Sequence, residues 1–393
     1  MRILIVSEVF WPEDFVINDL AKEWQNMGHH VEVVTQYPSY PHGVVFKDYI
    51  NKGKAIEDWD GIKIHRFPVI EGYRESKLKK FANYIRFVRT GKKIAKSIAQ
   101  SFDVIFVSQT GPLTVALPAI AAGKEHRVPV AIWTQDIWPD VVWTYGIPKL
   151  KPIVWFLDRF IHNIYNSCNR IYVSSRNFRD IIGRYTEMDV IYSPNWLRPV
   201  KEEDSDIKLD KDIFNFVFTG NVSMYQNLTN TVLGFGKASL TDCNFHIVGD
   251  GSYLDQVKKI VVDNGIKNVF FHGRKPYSTI NDILAQSDVL VLPLINDDGI
   301  CKTEPFKIQS YLNAGKPIMG VLVGSGKEII EENRLGVVAK PDDIDDIARV
   351  FKESVTYANT NGDTVKERAM KLMKTRFCKD TIIKTITDNL PVN

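Results

Sequence analysis

Short apolar runs alternate with stretches of helical spacing along the first half of the chain. "RILIVS" (2–7) is followed by Asp14–Met27, where Phe15, Ile17, Leu20, Ala21 and Trp24 fall on one helical face up to Gly28. "HVEVVT" (30–35), "DVIFVS" (103–108), "VPVAIWT" (128–134) and "RIYVSS" (170–175) read as further strands. These runs are largely apolar throughout, as strands are when helices cover both faces of a parallel sheet. Residues 199–212, "PVKEEDSDIKLDKD", are polar and charged and read as a linker. The same grammar then restarts with "FNFVFTG" (214–220), a helix at 228–239, "NFHIVGDG" (244–251), "NVFFHG" (268–273), "DVLVLPL" (288–294) and "PIMGVL" (317–322). The tail at 364–390 has helical spacing. The expected organisation is α/β: a Rossmann-like parallel-sheet domain over 1–198, a linker over 199–212, a second such domain over 213–370, and a C-terminal helix, 371–393, that packs back on the first domain. Two such domains in series would face a cleft, with ligands outside the carboxyl ends of the strands.

Two helical segments carry charge in unusual places. In "KTEPFKIQSYLNAGKP" (302–317), Thr303 is a candidate N-cap, Pro305 suits the first turn and Gly315 ends the helix. Helix N-termini attract acids, yet Lys307 sits in the first turn, Lys302 precedes it, and Glu304 is the one offset. An anion at that end would explain this, because free backbone N–H groups and a lysine make a phosphate site. Two lysines pointing into water are the alternative. Residues 76–100 hold eight Lys and Arg and no Asp or Glu. Leu78, Phe81, Ile85 and Val88 form one apolar stripe, and Gly91 is placed to bend or break the helix. Lys77, Lys79, Lys80, Arg86 and Arg89, beside Phe81, Tyr84 and Phe87, suit an anionic membrane surface. A core-facing stripe with a solvated basic side is the alternative.

Length and composition narrow the classes. A chain of 393 residues suits two domains, and 44% hydrophobic with 25% charged residues is the composition of a soluble globular protein. A net charge of +3 is too small to imply nucleic acid as a partner. The four cysteines form no CxxC pair, which points to a reducing compartment, without a zinc site or disulfide framework. "MRILIVSEVF" turns polar too early for a signal peptide, and "PLTVALPAIAAG" (112–123) is too short to span a bilayer. A cytoplasmic location is therefore expected. "EDWDG" (57–61) contains a DxD, but Asp60-Gly61 between "AIEDW" and "IKIHRF" is a hairpin turn signal. No metal is expected. The loop after the first strand lacks GxGxxG, against a dehydrogenase.

The polar residues concentrate in strand-end loops. In the first domain these are Ser7–Asp14, Ser108–Pro112 and Gln135–Asp140, with Glu13, Asp14, Gln109 and Thr110 as acceptor-binding candidates and Asp136 as the chief carboxylate. In the second, Gly220, Asn221, Ser223 and Gln226 offer neutral donors or a cap for the following helix. Gly249 and Asp250 in "VGDG" make either a tight turn or a close approach to a ligand. Gly273, Arg274 and Lys275 add cations beyond a strand.

Taken in order, "WPEDFVINDLAKEWQNMGHHVEVVT", "YPSYPHG", "QDIWPD", "YSPNW", "TGNVSMYQNL", "VGDG" and "PFKIQSYLNAGKPI" resemble the bacterial family 4 glycosyltransferases of O-antigen and capsule synthesis, over residues 1–340. The resemblance implies a GT-B fold and metal-independent transfer from a nucleotide sugar, UDP-linked by preference, with retention at the anomeric carbon. "WPE…IND" and "KIQSYLNAGKPI" resemble enzymes that add a sugar such as N-acetylfucosamine to a lipid-diphosphate acceptor, for example undecaprenyl-diphosphate-GlcNAc, at the inner leaflet of the cell membrane. The chain departs from the family pattern at several points. Ser310 and Lys302 stand where the family has the two acids of its Glu-x7-Glu motif, with Glu304 close enough to take the first role. Asn221 and Gln226 replace a basic pair that clamps the diphosphate, and Gln135 replaces a histidine. The resemblance assigns the donor to Gly220, Asn221, Gln226, Gly249, Asp250, Gly273, Lys275, Glu304, Phe306 and Ser310. It leaves Lys307 and Arg274 to neutralise the leaving group and Asp136 to orient hydroxyls. A UDP-sugar 2-epimerase of the same architecture and a non-catalytic sugar- or membrane-binding protein stay open.

Overall fold

The apolar runs become the central strands of two separate sheets. The structure is a computed structural model that describes residues 1–40, 42–50, 55–73, 75–139, 143 and 148–392. Pro41 of "YPSYPHG" and Asp140 of "QDIWPD" lie outside the described residues. The chain divides into one unit of Met1–Pro194 with Asp380–Asn393, and a second of Asn195–Lys379.

The first unit holds β1 Arg2–Ser7, β2 His30–Gln36, β3 Ile56–Trp59, β4 Ile62–Phe67, β5 Val104–Gln109, β6 Val130–Thr134, β7 Arg170–Val173 and β8 Val190–Tyr192. They lie in the order β3-β4-β2-β1-β5-β6-β7-β8, all parallel except the β3–β4 pair. That pair is a hairpin through Asp60 and Gly61, with φ of 48° and 88°. Asp58 Oδ1 accepts the Gly61 N–H at 2.9 Å, so one DxD carboxylate serves the turn. Leu4, Val6, Ile105, Val107, Ile132, Ile171 and Val173 bury one face. Phe106, Trp133 and Tyr172 cluster on the strands, and Trp24 packs edge-on to Phe106 with centroids 5.0 Å apart. The polar tips of these large rings are satisfied, as burial requires. Trp133 Nε1 donates to Ser193 O at 2.9 Å, Trp24 Nε1 to Thr387 Oγ1 at 2.8 Å, and Tyr172 OH to Ile386 O at 2.9 Å.

Helices α1 Val16–Asn26, α2 Lys77–Ile98, α3 Ala116–His126, α4 Lys151–Tyr165 and α5 Phe178–Ile182 connect these strands. The basic helix α2 corrects the sequence expectation in two ways. Gly91 does not interrupt it, and its buried face is Asn83, Phe87, Gly91 and Ala95. Leu78, Phe81 and Ile85 are exposed by 82%, 64% and 37%. Phe87, expected at a membrane, instead packs on Phe67 with centroids 5.4 Å apart. The cause is close contact with α3: a Cβ on Gly91 would stand 3.2 Å from Pro118 Cγ. Asn83 is buried because it exchanges amide hydrogen bonds with Gln36, both at 3.2 Å, and accepts from Ile70 N at 2.9 Å. Gly91→Leu is expected to destabilise the protein by about 1–3 kcal/mol through overpacking, read as a lower urea midpoint. An unchanged midpoint would mean the α2–α3 contact is looser than described.

The second unit holds β9 Phe214–Thr219, β10 Cys243–Val248, β11 Val269–Gly273, β12 Val289–Pro293, β13 Ile318–Val321 and β14 Gly336–Ala339. The sheet is wholly parallel in the order β11-β10-β9-β12-β13-β14. Its order reverses between β9 and β12, the place where doubly wound sheets open for ligands. Phe216 and Phe218 face one core with Phe235 and Phe351, while Val217 faces the other with Ile308 and Leu312. Helices α6 Leu228–Ala238, α7 Leu254–Asp263, α8 Ile280–Ala285, α9 Lys307–Ala314, α10 Ser325–Glu332 and α11 Ile344–Thr375 complete it, and α12 Lys379–Asp388 follows.

Residues 199–212 are not a free linker. Ile207 and Leu209 are buried in the second unit's core, and Glu203 N and Leu209 N donate to Ser278 O at 3.1 Å and Gln286 Oε1 at 3.0 Å. Two apolar side chains two residues apart suffice to pin a charged segment in extended form. The expected tail helix is two helices, and a cut at 370 falls inside α11. α9 starts at Lys307, later than expected, with Phe306 at the cap position and no side-chain cap from Thr303.

Candidate functional site

In the second unit the ends of β9 and β10 are held unusually close. Gly249 has φ of +151°, and a Cβ there would stand 1.8 Å from Gly220 O. Gly220 N donates to Val248 O at 2.9 Å and Gly249 N to Gly273 O at 2.8 Å. These N–H groups are therefore spent inside the unit, and Gly249 allows the close approach of one backbone to the other. Asp250 is exposed, and its Oδ1 accepts from Gly251 N at 2.7 Å. Asn221 is exposed beside this turn.

Lys307 enters this place from the first residue of α9. Its Nζ donates to Gln226 Oε1, stands 4.1 Å from the Phe218 ring centroid, and lies 3.0 Å from where a Gly220 Cβ would be. No acid occupies the first turn of α9. Burial, with no carboxylate opposing it, pushes the Lys307 ammonium down to about 7. A neutral amide and an aromatic face orient the amine without neutralising it. Tyr311, one turn further along α9 and fully buried, accepts from Thr219 N at 3.1 Å and donates to Val291 O at 3.1 Å. It fixes α9 against the ends of β9 and β12. Tyr311 was not singled out from sequence, because a tyrosine at a buried helical position reads as core.

The other donor candidates are placed differently. Glu304 is buried, and its Oε1 accepts from Arg376 Nη2 at 2.7 Å in an ion pair within the unit. Its position before α9 suggested a donor contact, yet the carboxylate is engaged by the end of α11. Lys275 is held by Asp206 at 2.6 Å. Arg274 and Phe306 are exposed, Gly273 has φ of +66°, and Ser310 is half-buried on α9.

In the first unit, Glu13 is buried and gathers three backbone N–H groups, Ser39 and Tyr40 at 2.7 Å and Phe10 at 3.2 Å. Burial raises its pKa against the pull of those bonds. It clamps the β1 and β2 loops together, and its oxygens are occupied in doing so. Asp14 is exposed and Thr110 half-buried. Gln109, the last residue of β5, donates from Nε2 to Gly111 O at 2.6 Å and Asp136 O at 2.9 Å. Its Oε1 is buried with no hydrogen-bond partner among the described residues. Glu8 follows β1 directly and its Oε2 lies 2.9 Å from where a Gly111 Cβ would be. Burial first, and the Glu8 charge second, push Asp136 up to about 7. Glu8 was missed from sequence, although a carboxylate immediately after a buried strand is a usable signal.

Among the described residues no cluster of three or more His, Cys, Asp and Glu could hold a metal, and no helix is long and apolar enough to cross a membrane.

Residues 15–193 match the glycosyl transferase 4-like domain, and residues 200–366 match glycosyl transferases group 1. The probable glycosyltransferase WbjE of Pseudomonas aeruginosa is 27% identical over 233 residues, covering 56% of this chain and 58% of that relative, less than two thirds of its length. HepE of Anabaena, solved in complex with UDP, superposes with a TM-score of 0.71 at 14% identity over 99% of both chains. Sucrose-phosphate synthase from Thermosynechococcus elongatus gives 0.72 at 13% identity over 98% of this chain and 97% of that one. The lipopolysaccharide outer core galactosyltransferase WaaB gives 0.65 at 14% identity over 99% and 98%.

Proposed function

Because the chain is a glycosyltransferase of the GT-B type, we propose that it moves a sugar from a nucleotide-diphosphate donor to a lipid-diphosphate-linked saccharide. The donor is UDP-linked and its sugar is N-acetylfucosamine or another HexNAc. Transfer proceeds with retention and without a metal. The carrying observation is Lys307: a half-buried amine over Phe218, bonded to Gln226, with no carboxylate among the groups that set its proton affinity. Such a group is costly to bury. It becomes favourable when a diphosphate supplies the countercharge, and more so as the glycosidic C–O bond breaks and that charge grows. Arg274, exposed after β11, adds to the same field. Asn221 and Gln226 supply neutral contacts, and Asp136 orients hydroxyls.

The first unit takes the acceptor. Docking of α2 on an anionic bilayer is supported by exposed Leu78 and Phe81 among Lys77, Lys79, Arg86 and Arg89. α4 adds exposed Trp155 and Phe156, and both helices bury residues in the same core cluster.

A transfer assay tests the reading. Purified protein, a GlcNAc-diphosphate-lipid in neutral or anionic vesicles, and a panel of UDP- and GDP-sugars are followed by product mass, with and without EDTA. One added sugar, unaffected by EDTA and faster on anionic vesicles, is the expected result. Nucleotide release without an acceptor requirement would favour the epimerase. Nucleotide binding with no turnover on any acceptor would favour a binding protein.

A further inference from the structure

Glu8, Gln109 and Asp136 stand at the carboxyl ends of three neighbouring strands, β1, β5 and β6. Gln109 ties them together. Its Nε2 faces two carbonyl oxygens, Gly111 O and Asp136 O, which fixes which end of the amide is oxygen. That leaves Oε1 as a buried acceptor without a donor among the described residues. Buried acceptors left unpaired cost about 1–3 kcal/mol, so such a group points to a bound donor.

We propose that Glu8, Gln109 and Asp136 form a notch for a neutral hydroxyl of the acceptor sugar, with Gln109 Oε1 accepting from the hydroxyl and a carboxyl group donating to it. This rests on the glycosyltransferase reading and names the part of the acceptor that the first unit grips. The chemistry selects the ligand class. A sugar hydroxyl donates and accepts at once. It therefore matches a notch with one protonated carboxyl to donate and an amide oxygen to accept. A phosphate would meet two carboxyl groups, so the acceptor's diphosphate does not suit this notch. No cation is among the groups that set the proton affinity of Asp136; burial and the Glu8 charge are the two. Asp136 then keeps its proton up to about pH 7.

The test is the acceptor KM of wild type, Glu8→Gln and Asp136→Asn from about pH 6 to about pH 9, with UDP affinity measured in parallel by calorimetry. In wild type the acceptor KM rises roughly tenfold per unit above the Asp136 pKa, as the donor proton is lost. In Glu8→Gln the negative neighbour is gone, so Asp136 ionises more easily and the rise shifts to lower pH. In Asp136→Asn the amide cannot ionise and the rise disappears. UDP affinity stays equal across all three. Superimposable KM profiles would overturn the notch while leaving the glycosyltransferase reading intact. If wild type turns over no acceptor, the glycosyltransferase reading fails separately, and carboxyl carbon NMR still decides the pair. Asp136 should titrate near 7 in wild type and lower in Glu8→Gln. An ordinary carboxylate titration in both would overturn the pair.

Discussion

Lys307→Met lowers turnover at least about tenfold, and as much as a thousandfold if the lysine contributes as an oxyanion-hole donor does, while stabilising the empty protein. Both effects come from the same burial. Unfolded, this amine has the ordinary lysine value of 10.5, and folded it drops to about 7. Between those values the unfolded chain binds one more proton than the folded one, so stability rises with pH across that window. The penalty is fully present below about pH 7 and gone above 10.5. Methionine keeps the bulk beside Phe218 and Gln226 but carries no charge, so the variant's stability should be flat across the window. Nucleotide binding shows the opposite sign. A diphosphate favours the ammonium, so above about pH 7 wild type takes up a proton when UDP binds, and affinity weakens as pH rises. Calorimetry in two buffers of different ionisation enthalpy reads that proton directly. No proton uptake in wild type, or near-wild-type turnover in Lys307→Met, would remove Lys307 from the mechanism.

Arg376→Ala should cost about 3–5 kcal/mol of stability, the usual result of breaking a buried ion pair from one side. The Glu304 and Arg376 side chains are exposed by only 2% and 9%. Removing the guanidinium takes a charged partner away from a buried carboxylate. The loss should appear as a lower denaturation midpoint, with UDP affinity per folded molecule little changed. A selective fall in UDP affinity at unchanged stability would return Glu304 to the donor site.

The alternation of strands and helices was legible because the central strands are buried on both faces, which writes their position directly into apolar runs such as "VIFVS" and "VLVLP". The oddity of Lys307 was legible because helix N-termini have a known charge preference. What sequence could not reveal was which side of a helix faces in. On α2 the apolar stripe at 78, 81 and 85 points out, and a seam of Asn83, Phe87, Gly91 and Ala95 points in. Close helix packing rewards small residues and a paired amide there, neither of which registers as hydrophobic. Glu304 and Glu13 looked available because carboxylates near strand ends usually are. Their partners, Arg376 and the backbone of Ser39 and Tyr40, lie 72 and 26–27 residues away, beyond any local pattern. Gly220 and Asn221 stood out in a polar loop after a strand, but that loop did not reveal that the Gly220 and Gly249 N–H groups are already spent.

The first unit borrows its last helix from the far end of the chain: Thr387 receives the Trp24 indole and Ile386 the Tyr172 hydroxyl. During synthesis the two rings are made early and their partners last. The second unit is continuous from Asn195 to Lys379, so only the first depends on joining two distant pieces of chain. A chain cut before residue 380 would keep the second unit's residues but leave Trp24 and Tyr172 without their partners, a species for chaperones to hold.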